Sequence, residues 1–397
     1  MKRLSHWLFL ITLLFLPSQL EKHFWPSFAL VLGRRIDYLS PTIGVTDILL
    51  LSTVFFTLLI SRPTRQQLRF FLVLLLVIGL FLLINPQLLS FYGYVKVIGL
   101  FLFAWVVIAQ SPSYIEVLLP LSIGITLSTL LTLLQFFAQK SIGGIWSLFG
   151  ERSFSAQSTG IAQLVVSGRL LLRPYATFPH PNVLGGYFAA LLPLFLFWQP
   201  PRQHYWWRQL TCACLALGIF LSFSRAAWVV SVGMVLFYYS RSKIKRRRFI
   251  TVGLVLFFLS LEELLLSRFN SLWLDWESFE QRQQLTRIAL AIFKHSPLFG
   301  VGLLQFIPTT TLFSRPPFLL QPAHSIYLLV LAETGIVGFV GSIMLLVVVG
   351  KRLWQQKKIA WFCSLLCLLL LGSVDHYPIT LPQTQLLFSL ILASAFV

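Results

Sequence analysis

Three residues in this sequence pair a reactive side chain with a setting that asks for an explanation: Arg225, Arg282 and His324. Arg225 stands alone between two apolar runs, in Ser222-Phe-Ser-Arg225-Ala-Ala-Trp228. A planar guanidinium suits a phosphate bidentately, so an anion site is one reading. Snorkelling to a lipid interface is the other, but it does not require a lone Arg at so tight a turn. Arg282 opens a stretch with apolar residues at 285, 288, 289, 292 and 293, the period of an amphipathic helix. Arg282 extends that inward stripe, whereas Arg287 and Lys294 share the opposite face. An inward charge needs a partner and an outward one does not, which makes Arg282 the better anion ligand. His324, in Gln321-Pro-Ala-His324-Ser-Ile-Tyr327, stands where a long apolar run begins. Imidazole is the side chain best poised for proton transfer near neutral pH. The bland alternative is an interfacial histidine bonded to backbone or water.

Other polar residues are candidates for a substrate site or for structure. Glu333 lies nine residues past His324, inside the apolar run. Intramembrane carboxylates are costly and often functional. On a continuous helix nine residues turn about 900°, so Glu333 would face away from His324 and bond a neighbouring helix. Gly335, Gly338 and Gly341 would then permit close helix packing. Arg173 precedes His180-Pro-Asn182, where Asn182 reads as a helix N-cap. Asp375 and His376 end another apolar run. Asp275-Trp-Glu277 is a weak metal signal, and the four cysteines lack any zinc-site spacing and read as small buried apolar residues. No metal and no cofactor are expected. Gly-rich phosphate loops ending in Gly-Lys-Ser/Thr and Gly-x-Ser-x-Gly elbows are both missing from the sequence.

The elements that must position these residues are membrane spans. Of 397 residues, 57% are hydrophobic and 11% charged. A soluble domain carries about 25% charged residues, so lipid is the main solvent here. A net charge of +19 would suggest nucleic acid in a soluble protein. Here the basic residues fall between apolar runs, which points to topology and anionic lipid and gives no reason to expect nucleic acid. Twelve helical spans are expected: 5–20, 43–60, 70–84, 94–109, 115–138, 183–198, 210–223, 226–239, 249–266, 325–349, 359–374 and 381–397. A single helix over 210–239 is the rival to the seventh and eighth. With two spans, Lys2-Arg3, Arg62/Arg65/Arg69, Arg202/Arg208, the basic run 241–248 and Lys351/Arg352/Lys357/Lys358 share one side, without an acid among them. The positive-inside rule makes that side cytoplasmic, with both termini there. No small-x-small cleavage site follows the first apolar stretch, so it is expected to remain as a span.

The chain thus reads as one all-α membrane domain, a polytopic transmembrane bundle over 1–397. Its outer side bears two long connections, 139–182 and 267–324, and long connections in compact proteins tend to be functional. The first contains Ile161 to Val166, Ser167-Gly168, then Arg169 to Arg173, a hairpin with a two-residue turn. The second contains the amphipathic stretch around Arg282, followed by Pro297-Leu-Phe-Gly300-Val-Gly302, a helix stop and flexible turn.

Four stretches in this order resemble the O-antigen ligase and polymerase family of bacterial membrane glycosyltransferases. They are Arg173 to Asn182, Ser222 to Arg225, Arg282 through Gly302, and Ala323-His324 through Glu333-Thr-Gly335-Ile-Val-Gly338. The resemblance implies a GT-C-like helical bundle with a partly helical outer loop domain between spans nine and ten. It implies a metal-independent, inverting transfer on the outer face of the bacterial cytoplasmic membrane. The donor would be a glycan on undecaprenyl pyrophosphate and the acceptor a glycolipid or another glycan. The family's essential arginines match Arg225 and Arg282, and its essential histidine matches His324. Ser325 stands where the family often has Asn. That chemistry agrees with the residues: two arginines would stabilise a leaving pyrophosphate and a histidine would take the acceptor's proton. A repeat-unit polymerase of the same family is the first alternative. A transporter using Glu333 and Asp47 as ion-coupling groups is the second, and would call for inverted repeats and broken midplane helices.

Overall fold

The computed structural model describes residues 1–166, 169–241 and 276–397. The ninth expected span (249–266), most of the 241–248 basic run, Ser167-Gly168 and Asp275 lie outside them. In chain order the helices are α1 (Lys2–Leu14), α2 (Val45–Ile60), α3 (Arg65–Ile84), α4 (Leu88–Gln110), α5 (Tyr114–Ala138), α6 (Pro181–Leu196), α7 (Tyr205–Leu221) and α8 (Arg225–Arg241). They continue with α9 (Trp276–His295), α10 (Phe306–Phe313), α11 (Ile326–Gln355), α12 (Ile359–Gly372), α13 (Tyr377–Thr380) and α14 (Pro382–Ala393). The strands are β1 (Glu21–His23), β2 (Leu30–Val31), β3 (Arg34–Arg35), β4 (Thr42–Gly44), β5 (Gln163–Val166) and β6 (Arg169–Leu172).

This is a helical membrane protein. Four helices, α3, α4, α5 and α11, are by length and composition able to cross a membrane, and α2, α6 and α12 are shorter apolar helices. Each expected span among the described residues overlaps a helix. The turn between α7 and α8 is real, so 210–239 is not one helix. The first helix is shorter than expected: it ends at Leu14, and the chain then enters strands that the sequence did not announce.

Two compact units make up the chain. The first comprises Met1–Gly124 and Gln281–Val397 and the second Ile125–Glu280. In the first, α1 and α2 are joined by small polar groups. Ser5 Oγ meets Thr57 Oγ1 at 2.9 Å, and the Gln110 amide donates to both. Such bonds hold helices together where apolar contact alone gives no advantage over lipid. Between α1 and α2 lie two small antiparallel ladders, β1 with β4 and β2 with β3. Val31 of β2, with Ile36 and Leu39 from the chain between β3 and β4, shares a core with Leu285, Ile288 and Ile292 of α9, Phe306 of α10 and Leu329 of α11. Each fully buried Leu or Ile contributes about 1.5–3 kcal/mol, enough to fix α9 by its apolar stripe. Arg287 and Lys294 are exposed on its other face, and Arg282 is half-buried.

The structure changes the reading of the tenth span. Helix α11 is broken at Gly335, whose φ is 63°. The segment 297–302 is stitched into the break. Val301 N donates to Ala332 O (3.1 Å) and Gly302 N to Glu333 O (2.8 Å), while Ile336 N donates to Pro297 O (2.8 Å) and Val337 N to Leu298 O (3.2 Å). Gly300, also at positive φ, lies so close to the Glu333 backbone that a Cβ could not fit, and Gly335 is as close to Leu298. The expected flexible turn is therefore a fixed clamp, and Gly335 serves it rather than helix packing. Gly341 has open space around the position of a Cβ, so it packs against no helix either.

In the second unit, β5 and β6 form the expected hairpin, with Gln163 opposite Leu172 and Val166 opposite Arg169. Gln135 and Glu151 then organise the connection between α5 and β5. The Gln135 amide donates to Glu151 Oε1 (2.8 Å), and Glu151 accepts the backbone N–H groups of Ile142 and Gly143. A buried carboxylate is tolerable when its lone pairs are filled in this way.

Candidate functional site

In the first unit, residues from three elements meet. His324 is not helical: it lies two residues before α11, so the rotational argument relating it to Glu333 does not apply. Its Nδ1 lies 3.5 Å from Asp375 Oδ1. Arg282, on the first turns of α9 to pack inward, donates from Nη1 to Val374 O at 3.0 Å, next to Asp375. His376 stacks obliquely on His324, with ring centres 5.4 Å apart, and its Nδ1 is 2.8 Å from Thr380 Oγ1. Tyr38 and His376 meet edge to face, with ring centres 5.2 Å apart.

The charges here are unequal. Burial alone would raise the Asp375 pKa, but the His324 contact and the neighbouring His376, His324 and Arg282 together outweigh it and hold the carboxyl well below the usual carboxylate range. His376 is pushed down to about 4 by burial, which the Asp375 charge only partly offsets. It is therefore neutral at pH 7. Burial, then Asp375 and Asp37, push Tyr38 up to about 12, so it stays protonated. At 3.5 Å the Asp375 contact is of ion-pair length rather than a hydrogen bond; a carboxylate on that side favours a proton on Nδ1 over Nε2.

The ligand atoms of His324, Asp375 and His376 all lie within 4.8 Å of one another, a spacing that could hold a metal ion. The Arg282 charge beside Asp375 works against a cation there.

Residues 210–343 match the family described as O-antigen ligase. The matched stretch, 134 of the 397 residues, supports an assignment to the O-antigen ligase and polymerase family. The matched stretch contains Arg225, Arg282 and His324; Asp375 and His376 lie beyond it. No curated protein matches the chain.

Arg225, the other arginine picked out by the family resemblance, belongs to the second unit. It opens α8 directly after the turn 222–224, in which Phe223 adopts φ 51°. The turn is held from several directions. Ser222 Oγ donates to Ile219 O at 2.7 Å, and Trp228 Nε1 donates to the same carbonyl at 2.9 Å. Arg173 is buried and donates to Ser222 O from Nε (3.1 Å) and from Nη2 (2.8 Å). Its Nη2 also donates to Asn182 Oδ1 at 2.7 Å. Arg173 thus ties the turn before Arg225 to the start of α6. Asn182 is not the cap of α6: His180 is, its Nδ1 accepting from Asn182 N at 3.0 Å.

Glu333 joins neither group. Its Oε1 accepts from Phe306 N (3.3 Å) at the start of α10, a structural bond. Asp47 accepts from Gly44 N at 2.7 Å and caps α2. The part sequence reasoning missed is Tyr38, on a connection with no motif, and the pairing of His324 with Asp375, which stand in different apolar runs.

Proposed function

We propose that this chain is an inverting, metal-independent glycosyltransferase of the outer face of the cytoplasmic membrane, spanning the bilayer twelve times. It moves a glycan from undecaprenyl pyrophosphate to a hydroxyl of a glycolipid or of another glycan. His324 Nε2 takes the acceptor's proton; the acceptor oxygen attacks the anomeric carbon from the side opposite the pyrophosphate. The bond from that carbon to the pyrophosphate oxygen breaks, and undecaprenyl pyrophosphate leaves with the electron pair. Arg225 and Arg282 bind the pyrophosphate and stabilise its developing charge. Asp375 holds the Nδ1 proton and stabilises the imidazolium that forms. The observation that carries this reading is the His324 Nδ1 to Asp375 Oδ1 contact of 3.5 Å, with Arg282 bonded at the neighbouring Val374.

The test is transfer by purified protein in lipid nanodiscs, from a lipid-linked glycan to a glycolipid. Full transfer by a His324→Ala protein would remove the base assignment. Ligase and polymerase separate in a null strain: loss of a ligase leaves long chains on the carrier, and loss of a polymerase leaves single repeats.

The break in α11 is a feature the transporter reading calls for. Against it, both carboxylates named for ion coupling are engaged in backbone bonds, Glu333 to Phe306 and Asp47 to Gly44. Irregular backbone at membrane depth is also tolerated where protein fills it, as 297–302 does here. Substrate flux in proteoliposomes without glycan product would favour transport.

A further inference from the structure

A general base works only when it is held within hydrogen-bond reach of the proton it takes, by neighbours whose own conformations are locked. His324 has little of that from its own element. It lies on irregular chain two residues before α11. Its Nδ1 is buried and makes no hydrogen bond, and the Asp375 carboxylate at 3.5 Å attracts it without fixing an angle. The last torsion of a histidine side chain is broad, so the plane of this ring is set by whatever packs against it.

His376 is the ring in that place. The two ring centres are 5.4 Å apart and the planes are tilted by 50°, within the range in which aromatic rings hold a defined mutual orientation. His376 is itself immobile, being only 5% exposed. Its Nδ1 is 2.8 Å from Thr380 Oγ1, and the same hydroxyl reaches the His376 carbonyl at 3.2 Å. Tyr38 packs edge to face against it. The single turn of α13 begins directly after it, with Ile379 N donating to His376 O at 3.1 Å. The His376 backbone N–H also donates to Asp375 Oδ1 at 2.8 Å, the oxygen that faces His324. One residue therefore sets both the ring beside His324 and the carboxylate oxygen on its Nδ1 side. His376 is not placed to be a second base, since Thr380 engages its Nδ1 and its Nε2 lies 3.9 Å from Asp375 Oδ1.

We propose that His376 is a positioning residue, whose locked ring is the wall that holds the His324 imidazole in the plane from which Nε2 meets the acceptor hydroxyl. The proposal rests on the transferase reading above. It assigns the role to a flat ring of this size and not to a nitrogen, so a phenyl ring should replace it. The test measures kcat and KM in nanodiscs with a lipid-linked glycan and a glycolipid. His376→Ala should lower kcat about tenfold or more, with KM changed by no more than about twofold, as for a misplaced catalytic group. His376→Phe should keep kcat within about threefold of the wild type, and Thr380→Val, which frees the His376 ring, should lower it by about threefold or more. An unchanged kcat in His376→Ala overturns the proposal. So does a His376→Phe protein that melts like the wild type yet transfers no better than His376→Ala, because a nitrogen would then be the working part. Should His376→Phe fail to fold, Thr380→Val decides, and an unchanged kcat there overturns the proposal. A second measurement does not need turnover. Diethyl pyrocarbonate modifies unprotonated imidazole, and its rate at His324 is read on that residue's peptide by mass spectrometry. Wild type and His376→Phe should share one rate, and His376→Ala should differ from both; equal rates in all three overturn the proposal. The expected pattern of rates in a wild-type protein that transfers nothing would uphold the positioning role and overturn the transferase reading.

Discussion

Asp375 and His376 are neighbours in sequence, yet at neutral pH one is charged and the other is not. The reason is surroundings: the His324 contact and the neighbouring His376, His324 and Arg282 stabilise the carboxylate, while burial dominates for His376. The neutral His376 has a consequence for stability. Its folded pKa of about 4 lies below the ordinary histidine value of 6.5, so between these values the unfolded chain binds more protons. Stability should therefore fall as pH drops from 6.5 to 4, by up to about 3 kcal/mol. Asp375 adds to the acid loss only below its ordinary range. Thermal unfolding in detergent across that pH range should show the slope, and His376→Asn should flatten it. For catalysis, His324→Ala should remove transfer by about 10²-fold or more, the share typical of a positioned base. Asp375→Asn should lower kcat with little change in KM. Arg173→Ala leaves the Ser222 carbonyl and Asn182 Oδ1 without a donor. It should cost about 1–3 kcal/mol of stability and reduce transfer through Arg225, measured as melting temperature and kcat. Within the His324 cluster, two members were legible in residue type and position: an inward Arg282 on an amphipathic stripe and His324 at a run's edge. The Asp375 contact was not, because periodicity within a run says nothing about which runs meet.

At the scale of elements, the amphipathic stripe of α9 and the β5–β6 hairpin were readable because each is a local pattern. The break in α11 was not. A glycine inside an apolar run reads as a tolerated helical residue, and only the close approach of 297–302 shows why φ must be positive there. Gly335→Ala and Gly300→Ala should each place a methyl group inside the facing backbone, in a conformation that also strains any L side chain. Both should destabilise by more than the 0.5–3 kcal/mol of an ordinary substitution, at least about 4 kcal/mol. Yield and melting temperature of the purified variants would show it, and near-native values would mean the clamp is not rigid.

For the whole molecule, hydropathy located the helices, and the strands between α1 and α2 escaped because they are too short to carry an alternation pattern. The proposed orientation predicts labelling. In a cysteine-free background, Leu148→Cys should react with an impermeant maleimide added outside intact cells, and Lys357→Cys only after permeabilisation. Chelators should leave transfer unchanged; loss of transfer on chelation, restored by a divalent ion, would instead assign His324, Asp375 and His376 to a metal.

The clamp in α11 also sets where this chain can change its length. Four backbone bonds join 297–302 to 332–337 in fixed register, so inserting or deleting one residue inside either stretch would unpair them together. The chain between them runs through 314–321, where Ser314 ends α10 and Arg315 to Pro317 are exposed. Length variation among natural relatives, and sites for epitope insertion, should therefore gather at 314–321 and avoid both sides of the clamp.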